Sequence, residues 1–302
     1  VYKRQVVNMP RVEILPRLFI DLSLFNSALI MEMIMHSDIA QKLKSIILDM
    51  DGVLWRGDEP IGNLEMIFSL IREMNLKIIL ATNNSTMTIQ QYQEKLRRFN
   101  VEIGSESILT SGKATSLYLA SQHPDGGKVF TIGEDGLLST LKEHHFVQDS
   151  NNPAAVVVGM DRNLTYEKLK TATLLIRSGT PFITTNPDKT FPIPEGLIPG
   201  AGSISAAIEA ATDISPTIIG KPHPVMYQSA LKRVLSTCAE TLIVGDRLET
   251  DIAGAQSIGC RAAVVLSGVA TNEQIDAWSP TPDFVEKDLY YLLKKLKALR
   301  VK

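Results

Sequence analysis

Cysteine is nearly absent: Cys238 and Cys260 are the only two among 302 residues. Two are too few for a disulfide framework, so a reducing, cytoplasmic setting is the default expectation. An excess of charge of one sign is also missing. The 31 basic and 33 acidic residues leave a net charge of −2, and nothing electrostatic points to nucleic acid or an anionic membrane as partner. Long hydrophobic runs are lacking as well. The longest uncharged stretch near the N-terminus, Leu22 to Met31, is too short to cross a bilayer. Internal repeats and low-complexity tracts are absent. No Gly-x-Gly-x-x-Gly follows any expected strand, which argues against a dinucleotide enzyme. Ser111-Gly112-Lys113-Ala114 hints at a phosphate-binding loop. However, Ser107 stands where that loop needs glycine, and Ala114 replaces its hydroxyl residue.

What remains is the profile of an ordinary soluble enzyme, 44% hydrophobic and 21% charged. The length suits two domains, or one domain with a large insertion. Residues 1–40 stand apart as an N-terminal extension. Met31, Met33 and Met35 crowd ahead of the first strand, so the stretch reads either as a leader upstream of true initiation or as a real, disordered extension. It lacks a clean signal-peptide cleavage pattern.

From residue 41 short apolar runs alternate with amphipathic segments. Ser45 to Leu48 is a continuous apolar run of the kind buried on both faces of a parallel sheet. A helix follows over 63–74, then a strand over Leu76 to Ala81, a helix through Ile89, Tyr92, Leu96 and Phe99, a short strand at Ile108, and a helix near 113–120. This strand-helix alternation predicts a Rossmann-like α/β fold. His123 to Gly127 reads as a linker, and a second α/β pattern then occupies residues 124–200. Phe191 to Gly202, dense in proline and glycine, reads as the linker returning from it. The first pattern resumes with a helix over 203–211 and a strand over 216–220. A strand over 241–245, a helix around 251–258 and a last strand over 261–266 complete it. The expected organisation is a core of 41–123 and 201–302 interrupted by a cap domain of 124–200.

Polar residues of complementary kinds sit at the ends of the core strands. Asp49 and Asp51 follow the first strand, and residues two apart on a strand point the same way. Thr82 and Asn83 end the second. Lys221 ends another, and Asp246 and Asp251 follow the strand over 241–245. In a parallel sheet all of these gather at the C-terminal edge, where open α/β sheets bind ligands. Acids with hydroxyl and amide oxygens suit a hard cation such as Mg²⁺. A lysine and helix-start N–H groups suit phosphate. Together they describe a phosphoryl-transfer site.

The segments Asp-Met-Asp-Gly-Val-Leu-Trp-Arg-Gly, Thr-Asn-Asn-Ser, Gly-Lys-Pro and Gly-Asp-Arg-Leu-Glu-Thr-Asp-Ile resemble, in order, the four motifs of the haloacid dehalogenase superfamily. They are similar to the branch of p-nitrophenyl, phosphoglycolate and nucleotide phosphatases, which carries a large α/β cap between its second and third motifs. The resemblance implies that Asp49 is a nucleophile and Asp51 an acid/base. It implies that Mg²⁺ is held by Asp49, the Asp51 carbonyl and Asp246, with Asp251 acting from behind. Thr82, Asn83 and Lys221 would hold phosphoryl oxygens, with Lys221 also offsetting negative charge near Asp49, and Arg247, Leu248, Glu249 and Thr250 would line the substrate side. Thr185 to Asp188 resembles a cap segment, which adds Asn186 and Asp188 as substrate contacts. The implied partner is a small phosphorylated metabolite, and the resemblance suggests a homodimer through the cap.

Each residue taken alone has a duller meaning. Thr82 suits a helix cap, Lys221 a solvated strand end, Asp251 an N-cap, Asp246 a loop acid, and Asn186 and Asp188 a turn beside Pro187. His223, between two prolines, reads as structural. Two rivals also share the pattern. A phosphoacceptor signalling module needs no second domain and no acid/base beside its acceptor. A phosphomutase of the same superfamily would need a bisphosphate activator.

Overall fold

The computed structural model describes residues 22–193 and 195–300. Its central element is a six-stranded, wholly parallel sheet. Across it the strands run Phe284–Glu286, Arg261–Val265, Thr241–Gly245, Ser45–Leu48, Lys77–Thr82 and Ile108–Thr110. The apolar run Ser45–Leu48 lies in the middle and is buried throughout. Its alternate residues feed opposite faces, so Ile46 and Leu48 join one cluster and Ile47 the other. Burying each such side chain contributes about 1.5–3 kcal/mol, which is why unbroken apolar runs find the centre of the sheet. Sequence periodicity ended the sheet at 266, but the three-residue strand Phe284–Glu286 extends it. Three residues are too few for a period to show.

Helices cover both faces, and their starts are written locally. Asn63 accepts from the Met66 N–H to cap helix Leu64–Glu73. Thr88 and Gln91 cap helix Ile89–Arg97 reciprocally. Helix Leu22–Lys42 crosses the boundary expected at 40. Its last turns belong to the core, with Ile39 and Ala40 buried and His36 stacked on Phe284 at 4.4 Å. Residues 1–21 of the expected extension lie outside the described residues.

The inserted unit is a second parallel sheet of five strands: Thr217–Ile218, Phe182–Thr184, Ala155–Val158, Gly127–Ile132 and Phe146–Gln148. It takes more of the chain than 124–200. Helix Ala201–Thr212 puts Ile204 and Ile208 into the cap's own apolar cluster, and Thr217–Ile218 pairs with Phe182–Thr184. Periodicity identifies such elements but cannot say which of two sheets receives them. The proline-rich stretch read as a linker is an antiparallel ribbon, Thr190–Ile193 against Gly196–Pro199. In a two-stranded ribbon both strands are edges, where proline is tolerated.

Cys238 and Cys260 are joined as a disulfide. This removes the argument from free thiols to a reducing compartment. No described helix is long and apolar enough to cross a membrane.

Candidate active site

Register brings the site together. Leu48 pairs with Val244 on one side and Leu80 on the other, so the residues that follow emerge along one edge. The Asp49 N–H still donates to the Val244 carbonyl at 2.9 Å. Asp49, Asp51, Thr82, Asn83 and Lys221 line one cavity of about 550 Å³, with the cap residues Met160, Asp188, Phe191 and Ile193 across from them.

Lys221 is the buried hub. Its ammonium donates to Asp49 Oδ1 at 2.6 Å, to Asp251 Oδ1 at 2.7 Å and to the Ala81 carbonyl at 3.1 Å. An ammonium has three protons, and all are placed. Burial works against the charge, but Asp251 and Asp49 outweigh it and hold Lys221 well above its ordinary range. Lys221 was expected to hold phosphoryl oxygens and to offset negative charge near Asp49; its ammonium pairs with Asp49 and with Asp251 as well.

Burial also raises Asp49 well above the usual carboxylate range, and Asp251 and Asp246 add to this while Lys221 opposes it. Asp246 is pushed up to about 6, first by burial and then by Asp251. Its Oδ2 accepts from the Val269 N–H at 2.9 Å. Its Oδ1 is buried with no hydrogen-bond partner among the described residues. Oxygens of Asp49, Asp246 and Asp251 lie within 4.8 Å of one another. Close acids, one with an orphaned buried oxygen, fit a divalent cation, which reverses the burden of burying negative charge. The approach is tight: a Cβ on Gly52, whose φ is +83°, or on Gly268 would strike the Asp246 carboxylate. Asp251 is already occupied by Lys221, the Arg247 N–H and the Thr250 hydroxyl, which suits a place behind the direct ligands.

The remaining expected residues divide. Thr82 is buried, and its hydroxyl oxygen accepts from the Asn84 N–H at 3.1 Å, leaving the proton free to donate. Asn83 is spent elsewhere. Its amide donates to the Lys221 carbonyl and Asp188 Oδ1, and its Oδ1 accepts from the Lys221 N–H. Asn186 is likewise committed, donating to the Asn83 carbonyl at 2.7 Å and accepting from the Asp188 N–H. Both act as braces between cap and core. Asp188 faces the cavity, and burial raises its carboxyl. Arg247 and Thr250 line the cavity, whereas Leu248 packs into the core and Glu249 points to solvent. Arg247 is extended, and a wide helical turn over Leu248–Ile252 follows it.

Among the cavity residues that escaped the sequence reading are Trp55, Tyr92 and Lys95. Tyr92 fell on the apolar stripe of its helix and read as core. Its hydroxyl is buried without a hydrogen-bond partner among the described residues. Lys95 lies one turn further along that helix, and only this spacing could have pointed to it.

A model of the haloacid dehalogenase-like hydrolases matches residues 46–147, and one of HAD-hydrolase-like proteins matches 218–292. These spans contain all four motif segments. The chain is 34% identical over 258 residues to the acid sugar phosphatase of Staphylococcus aureus, covering 85% of this chain and 99% of that protein. The structure of 4-nitrophenylphosphatase from Thermotoga maritima matches with a TM-score of 0.80 at 35% identity, covering 85% of this chain and 98% of that one. NagD from E. coli K-12 matches with a TM-score of 0.77 at 30% identity, over 82% of this chain and 97% of that one. The chain belongs to the haloacid dehalogenase superfamily of hydrolases. Within it, the fold and the relatives place it in the NagD-like branch.

Proposed function

We propose that the protein is a Mg²⁺-dependent phosphatase of small phosphomonoesters, working through an aspartyl phosphate. The observation that carries this is the pairing of Asp49 with Lys221 at 2.6 Å, beside the orphaned Asp246 oxygen and beneath the cap. An Asp49 oxygen attacks phosphorus, and the bond from phosphorus to the ester oxygen breaks. Asp51 gives its proton to that departing oxygen, then takes one from the water that hydrolyses the acyl phosphate. Burial raises the Asp51 carboxyl, against the pull of Lys95 and Trp55, and so favours the protonated form that the first step requires. Lys221 keeps Asp49 and Asp251 from repelling each other. The Thr82 hydroxyl is placed to donate to a phosphoryl oxygen.

Asp49, Asp246 and the Asp51 carbonyl would hold the cation, with Asp251 behind. When bound it supplies positive charge to the phosphoryl oxygens as charge moves through the transition state. The cavity has room for a sugar or aryl phosphate, and the names of the relatives are consistent with both. Turnover of p-nitrophenyl phosphate and of a panel of sugar phosphates, with and without Mg²⁺, tests the reading. Repeated turnover with Mg²⁺ supports it. A single labelling of the protein without release of phosphate would favour a phosphoacceptor module.

A further inference from the structure

Helix Ile89–Arg97 contributes more than packing. Its Lys95 ammonium lies 4.5 Å from the centroid of the Trp55 ring and donates to the Gly57 carbonyl at 2.5 Å. Asp58, at 3.5 Å, also faces that ammonium. Trp55 is fully buried, and its indole N–H donates to Asp51 Oδ1 at 3.0 Å. The turn between these two residues is pinned at both ends. The Gly52 N–H donates to the Trp55 carbonyl at 2.8 Å, and the Trp55 N–H reaches the Met50 carbonyl at 3.3 Å. The backbone is thus fixed here, and burial together with its bond to Asp51 holds the indole in place.

An indole nitrogen only donates, so Asp51 Oδ1 is an acceptor in this arrangement. A carbonyl oxygen is the better acceptor, so when Asp51 is an acid this bond favours the proton on Oδ2. A cation over an indole face is attracted by the ring quadrupole, and Lys95 is tied to the Gly57–Asp58 turn that follows Trp55. This ammonium fixes the indole between the helix and the strand-end turn.

We propose that Trp55 and Lys95 are positioning residues for Asp51: the indole N–H holds Oδ1, so that the acid proton is carried on Oδ2 and delivered to the leaving oxygen, while Lys95 keeps the indole in register. This rests on the phosphatase reading above. As the ester bond to phosphorus breaks, the electron pair goes to the leaving oxygen and the Asp51 proton follows it. Misplacing that acid penalises leaving groups that need the proton and spares those that leave well without it.

The test uses three substrates of one shape: phenyl, 4-chlorophenyl and 4-nitrophenyl phosphate. The quantity read is kcat/KM, which extends only through transfer to Asp49. A positioned general acid contributes about 10²–10⁴-fold. Trp55→Phe should therefore lower kcat/KM for the phenyl ester at least about tenfold more than for the nitrophenyl ester. Lys95→Met should shift the ratio in the same direction by less. Lys95→Arg should recover most of it, since a guanidinium also stacks on indole. Thermal melting confirms that the variants fold. If Trp55→Phe does not fold, the Lys95 pair decides. Equal losses on all three esters, or none, would overturn the inference while leaving an active parent. A parent that turns over neither these esters nor the sugar phosphates would overturn the phosphatase reading and the inference together.

Discussion

The side-chain amide of Asn186, in the cap, donates to the backbone carbonyl of Asn83, in the core, at 2.7 Å. The contact spans 103 positions of sequence and is buried. It belongs to a reciprocal set, because the Asn83 side chain in turn reaches Asp188 in the cap and the backbone of Lys221. The loop that follows the second core strand is thus tied to the cap and to the residue neutralising Asp49.

Asn186→Asp replaces a donor with an acceptor facing a carbonyl. The Asn83 carbonyl keeps the Ser111 hydroxyl as a donor, but a buried carboxylate oxygen without a partner there costs about 1–3 kcal/mol, so the melting temperature should fall. KM should rise, because Asp188 loses its alignment. Asn186→Ser, which keeps a donor, should be milder on both counts. A variant with unchanged melting and unchanged KM would show that the latch contributes nothing.

Tyr92 carries a hydroxyl enclosed beside the site with no hydrogen-bond partner among the described residues. Burial holds the phenol well above its usual range, so it stays protonated. Tyr92→Phe removes an unsatisfied group and keeps the ring's packing, so it should stabilise the protein by about 1 kcal/mol. A thermal melt reads this directly. A lower melting temperature would mean that the hydroxyl is bonded in solution.

Most of the core strands and the acids at their ends were legible in the sequence, because buried parallel strands are unbroken apolar runs. Ser45 to Leu48 and Thr241 to Gly245 both show this, and each is followed by an acid. The edge of the cap was not. Thr217–Ile218 could join either sheet, and only its pairing with Phe182–Thr184 settles the matter. Residue type also failed to separate Arg247 and Thr250, which line the cavity, from Leu248 and Glu249, which do not. That division is set by the wide helical turn over Leu248–Ile252, just after Asp246 and Arg247. Trp55 carries no spacing signal of its own, and Lys95 carries only its place one turn from Tyr92.

Acid should stabilise the metal-free protein. Asp246 is raised from 3.8 to about 6, so between those values the folded chain binds a proton that the unfolded chain has released. Stability is then lost as pH rises through about 6. Through Asp246, metal-free protein should melt higher at pH 5 than at pH 7.5. Adding Mg²⁺ should raise the melting temperature more at pH 7.5, where protons no longer compete for the carboxylates. An equal effect of Mg²⁺ at both pH values would count against Asp246 as a ligand.

The covalent step is the centre of the account, and acid quenching during turnover of a phosphate-labelled ester addresses it most directly. The parent chain should retain label on Asp49 as an acid-stable, hydroxylamine-sensitive acyl phosphate, and Asp49→Asn should retain none while keeping its melting temperature. Label on another residue, or steady turnover by Asp49→Asn, would contradict the account.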